Sequence, residues 1–195
     1  MSRGLGDVYK RQAEGSNLVI DVASWIYINA QVTVTVSALV YLYLRHNASF
    51  YFIRNMFAVA MAIALVGYIV LPTAPPRFFP EWGFFDSVSD MTGVSHDSVA
   101  VNSLFNPYAA IPSMHVAYAL MISVPIARLA THRVTRIVWS LYPPLVAFVI
   151  VVTANHFLTD AFLGAMTATL AACTAAWLAR VRPSAWAFQP VKATA

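Results

Sequence analysis

Five apolar runs, each about as long as a bilayer is thick, set the terms for this chain. A helix needs roughly 20 apolar residues to cross about 30 Å of hydrocarbon. Runs of that size lie at about 17–44, 52–71, 111–130, 135–153 and 157–178. In hydrocarbon each backbone N–H and C=O must find its partner inside the protein, and a run of this length does so as a helix. The expectation is an all-α, polytopic membrane helical bundle, with one membrane domain over 17–180. Asp21 and Asn29 fall in the opening half of the first run, so that half is expected at the interface and Val32 to Leu44 in the crossing. Pro143-Pro144, inside the fourth run, predicts a kink.

Composition excludes the soluble class. Of the 195 residues, 59% are hydrophobic and 10% charged, whereas soluble domains run nearer half and a quarter. The net charge of +4 could suggest nucleic acid in a soluble protein. Here the basic residues flank apolar runs and report topology instead, so no nucleic-acid partner is expected. The single Cys173 lies within an apolar run and allows no intrachain disulfide. Residues 1–12 hold three of the twelve Lys and Arg and show no apolar period. They read as a non-native or disordered segment, and 181–195 as a cytoplasmic tail.

The charges also orient the bundle. Arg45, Arg54, Arg128, Arg133, Arg136, Arg180, Arg182 and Lys192 all fall on one side, with no Asp or Glu among them. The other side has Arg77 alone among Glu81, Asp86, Asp90 and Asp97. The excess of Lys and Arg marks the cytoplasmic side. That puts Arg77, His115, His156 and Asp160 together at the extracytoplasmic face. Only Thr131-His132-Arg133 joins the third and fourth runs, making them antiparallel neighbours. The head of the fifth run then returns beside the head of the third.

Ionisable groups inside membrane segments are expensive and default to function. His156 and Asp160, spaced i,i+4, share one face of a helix. A carboxylate there can fix one ring nitrogen and leave the other as a nucleophile; the bland alternative is a pair tying helices together. His115 follows Pro112-Ser113, a helix start whose free N–H groups suit an anion. From there it could protonate a leaving oxygen, or it could be an ordinary interfacial histidine. Arg77 follows the stiff Pro72-Thr73-Ala74-Pro75-Pro76. Its guanidinium suits phosphate, or could simply anchor headgroups. Taken together, these groups read as a phosphate site. The aromatic loop from Phe78 to Tyr108 reads as an interfacial belt, with His96 solvated in it. Gly164 is expected to let another helix approach closely.

Three motifs carry a family resemblance: Ala74-Pro75-Pro76-Arg77, Asn106-Pro107-Tyr108-Ala109-Ala110-Ile111-Pro112-Ser113-Met114-His115, and Asn155-His156-Phe157-Leu158-Thr159-Asp160. Over about 21–172 the chain resembles the type 2 phosphatidic acid phosphatase superfamily of lipid phosphate phosphatases. Within it, the chain looks like the inositolphosphotransferase branch that contains inositol phosphorylceramide synthases. The resemblance implies a six-helix membrane core, of which five spans are visible here. It implies that His156 forms a phosphohistidine, that Asp160 orients it and that His115 serves the leaving oxygen. Arg77 and the Ser113 region would hold phosphate, with no metal or cofactor. The substrate would be a membrane lipid, with a lipid or alcohol as a possible acceptor. Against the broad superfamily pattern, Val70 replaces a lysine, Phe78 a proline, Met114 a glycine and Val149-Ile150 a Ser-Arg pair. Two phosphate-binding cations are therefore missing, which fits the branch with shorter motifs.

Other readings of the same residues are an intramembrane metal hydrolase with His115, His156 and Asp160 as ligands, a haem carrier with two axial histidines, and a non-catalytic scaffold or transporter.

Overall fold

A computed structural model describes residues 18–93 and 106–187. His96 and Phe105 lie outside the described residues, as do residues 1–12. The chain is an all-α membrane bundle built from α1 (Leu18–Arg45), α2 (Asn47–Val70), a short α3 (Ser87–Thr92), α4 (Met114–Leu129), α5 (Arg133–Val152), α6 (Leu158–Val181) and a last turn, α7 (Pro183–Trp186). Four of these helices are long and apolar enough to cross a membrane. The third expected span, α4, is shorter at 16 residues.

Helix α4 is nonetheless the centre of the bundle. Its Ala117 and Met121 pack with Met56 and Ala60 of α2 and with Ala168, Ala171 and Ala175 of α6. Its Ile122 and Ile126 meet Ala38 and Leu42 of α1 and Ile53 of α2. Its Val116 and Ala119 meet Val146 and Ile150 of α5 and Ala161 of α6. The alanine-rich seams fit membrane packing, where small side chains let backbones approach and dispersion replaces a hydrophobic drive. Large apolar residues such as Leu65, Val66, Ile69 and Phe162 face outward, as a lipid solvent allows.

The structure adds detail to three of the expected runs. The first run is one helix of 28 residues. Its opening half is held by Ser24, whose Oγ donates to Ser87 Oγ of α3 at 3.0 Å. The fourth run continues helical through Pro143 and Pro144. The third run starts its helix at Met114 rather than Ile111, because Ile111 and Pro112 form a bend and Ser113 takes the N-cap position. Tight connections hold the hairpins: His46 alone joins α1 to α2, and residues 130–132 join α4 to α5. At the chain's far end Asn55 Nδ2 donates to Trp186 O at 2.7 Å, pinning α7 to α2.

Candidate active site

Two segments outside the long helices build one wall of the site. After α2, Thr73 pairs with Ala109 as an isolated parallel bridge. Thr73 N–H donates to Tyr108 O at 2.8 Å, and Ala110 N–H donates to Thr73 O at 3.3 Å. The bridge clamps the approach to Arg77 against the approach to His115. Pro75 is extended and Pro76 opens a single 3-10 turn that contains Arg77. Proline's fixed φ makes this a stiff bracket.

The α5–α6 connection forms the facing wall. Ala154 turns the chain with a positive φ of 54°, and the N–H groups of Asn155 and His156 both donate to Ile150 O. Arg77 grips this turn twice. Its backbone N–H donates to Ala154 O at 3.0 Å, and its Nη1 donates to Asn155 Oδ1. Asn155 is buried and its Nδ2 donates to Thr153 Oγ1 at 2.9 Å. The guanidinium is thus aimed before any ligand arrives.

His156 opens towards the same space. Its Nδ1 lies 3.3 Å from Asp160 Oδ2. A carboxylate in its ionised form only accepts, and such a partner at Nδ1 favours the tautomer that leaves the Nε2 lone pair towards the cleft. Asp160 sits at the third position of α6, fully buried. It also accepts from Phe157 N–H at 2.9 Å and from Thr159 Oγ1 at 3.3 Å. The carboxylate is therefore held from several sides.

The His115 ring faces the His156 ring edge-on, with centroids 5.3 Å apart. The two segments are locked by Ser113 N–H, which donates to Asp160 O at 3.1 Å. Gly164 permits that approach, since a Cβ there would strike the Ser113 carbonyl. What it admits is the N-cap residue of α4, so the close approach is that of another helix's start. Gly67 does the same for Pro112 on the α2 side, where a Cβ would lie 3.0 Å from the Pro112 ring. Tyr27 of α1 stacks on the His115 ring, centroids 4.8 Å apart. Tyr68 Oη donates to Pro112 O at 3.2 Å.

A cleft of about 520 Å³ opens over these groups, lined by Tyr27, Gln31, Tyr68, Arg77, His115 and His156 among others. The structure thus brings Arg77, His115 and His156 to one cavity, with Asp160 behind His156. Ser113 is fully buried and does not line the cleft, and its Oγ has no hydrogen-bond partner among the described residues. Among those residues no group of three His, Cys, Asp or Glu converges as a metal site. Sequence reasoning gave no role to Asn155 or Tyr27. Asn155 was legible as an amide within an apolar stretch; Tyr27 carried no signal, because its partner is remote in sequence.

A buried His–Asp pair facing a second histidine and an arginine, in a helical membrane bundle, has the makings of a phosphoryl-handling membrane enzyme. A family model described as the PAP2 superfamily matches residues 8–174, and the chain belongs to that superfamily. Membership points to a phosphatase-type integral membrane enzyme. No curated protein and no solved structure matches the chain significantly.

Proposed function

We propose that the chain is a metal-independent phosphoesterase or phosphotransferase that acts on a lipid phosphate at the extracytoplasmic face through a phosphohistidine. The observation that carries this reading is the pairing of His156, held by Asp160 at 3.3 Å, with His115 across a 5.3 Å ring separation. Nε2 of His156 attacks phosphorus, and the bond from phosphorus to the lipid oxygen breaks. Protonated His115 gives its proton to that departing oxygen. His115 then takes a proton from water or an acceptor alcohol, whose oxygen attacks phosphorus and breaks the P–N bond. Asp160 stabilises the imidazolium character that develops on His156. Arg77 and the N-terminal turn of α4, entered through Ser113, stabilise the phosphate oxygens as charge builds.

The choice between hydrolysis and transfer rests on whether water or an alcohol reaches the phosphohistidine. An open cleft lined by both apolar and polar groups admits either. Val70, Phe78 and the Val149-Ile150 pair stand where the wider superfamily pattern has other residues, which favours the inositolphosphotransferase-like branch. The outward orientation is supported by Arg45, Arg54, Arg128, Arg133, Arg136, Arg180 and Arg182, which lie near the helix ends opposite the histidines. The test is the His156→Ala variant, assayed with a phosphate-labelled lipid. Turnover and acid-labile labelling of the protein should both vanish; labelling that persists would defeat the phosphohistidine.

A further inference from the structure

At the end of the bundle away from the histidines, α4 and α5 enclose a second cleft of about 540 Å³. Arg128 from the last turn of α4 and Arg136 from the first turn of α5 both line it. Neither helix contains an Asp or Glu. Arg136 gives one N–H to Ala130 O at 3.2 Å and so leans across the hairpin. Deeper in the same wall lies Ser123, 1% exposed, whose Oγ has no hydrogen-bond partner among the described residues. A hydroxyl in mid-helix ordinarily bonds back to the carbonyl four residues earlier. Thr167 and Thr169 do so here, while Ser123, like Thr35 of α1, does not. Leu120, Val124, Trp139 and Pro143 make the remaining wall largely apolar.

Two cations without a carboxylate on their own helices, a buried hydroxyl and a greasy trough match one kind of molecule. We propose that this cleft binds an anionic phospholipid. Its phosphate sits between Arg128 and Arg136, its glycerol-ester carbonyl accepts from Ser123, and an acyl chain lies along Leu120 and Val124. Ser123 precedes Arg128 by five residues, about 7.5 Å along the helix axis, which suits a head above and an ester below. Arginine favours this role because its planar fork takes phosphate oxygens in pairs. The apolar trough favours a lipid over a soluble anion. The site is independent of the chemistry at His115 and His156.

The test uses the full chain in phosphatidylcholine nanodiscs doped with brominated phosphatidylglycerol or brominated phosphatidylcholine. Trp139 lines the cleft, and its emission is isolated as the difference between the chain and W139F. Brominated phosphatidylglycerol should quench Trp139 at a mole fraction several times lower than its neutral counterpart, a comparison that needs no arginine variant. R128Q and R136Q should each raise the mole fraction required by about fivefold, and S123A by less. R133Q, whose side chain does not line the cleft, should leave it unchanged. Equal quenching by the two lipids would overturn the proposal, as would an equal loss in R133Q. Complete displacement by millimolar glycerol phosphate would assign the site to a soluble anion. No quenching by either lipid would mean that protein, such as a second copy of the chain, covers the cleft.

Discussion

The histidine end and the arginine end of the bundle both gather polar groups, but they hold them differently. At the histidine end Asp160, Asn155 and His156 are 0%, 2% and 6% exposed, and each bonds to another group of the site. At the arginine end Arg128 and Arg136 are exposed, on long stems that can follow a ligand. The difference separates two uses of charge. Groups fixed in advance stabilise a transition state without reorganising. Flexible cations on a surface attract an anion and tolerate its motion. Losing one bond at the first end should therefore stop chemistry, while losing one charge at the second should only grade affinity.

Substitutions can break or sharpen this contrast. Beyond His156→Ala, the largest effect is expected from Asp160→Asn. It removes the charge that supports His156, and turnover should fall on the order of 10³-fold with thermal melting little changed. A comparable loss of folded protein would recast Asp160 as a structural residue. Arg77→Lys keeps the charge but loses the planar fork held by Asn155. Turnover should fall roughly 10²-fold, and full activity would show that a point charge suffices. Gly164→Val drives a side chain into the Ser113 carbonyl and should cost about 2 kcal/mol of stability, read by denaturant titration in detergent. Cys173→Ala, at an exposed position of α6, is expected to fall within about 0.5 kcal/mol of the parent. A larger shift would point to an unrecognised contact on that face.

Much of this arrangement is written in the chain in local form. Apolar runs of span length give helices directly, because hydrocarbon leaves the backbone few alternatives. The i,i+4 spacing of His156 and Asp160 is likewise local, and the short turn before Arg133 brings the heads of α4 and α6 together. What escaped depends on contacts remote in sequence. The start of α4 at Met114 follows from the clamp between Thr73 and Ala109, which hydropathy does not register, since Ile111 is as apolar outside a helix as inside one. The contacts of Ser24 with Ser87 and of Tyr27 with His115 likewise join residues far apart in sequence. Asn155 lies within a quoted motif, yet its work on Arg77 appears only when residues 78 positions apart are neighbours.

Asp160 works with two different parts of itself. Its carboxylate serves His156, while its main-chain carbonyl receives the Ser113 N–H. The second service belongs to the peptide unit and survives any side-chain replacement. Reactivity and alignment at this position are thus separable by design, and a catalytically silent variant can keep both imidazole-bearing segments in register. Such a protein would be the natural vehicle for asking whether the proposed lipid phosphate occupies the cleft.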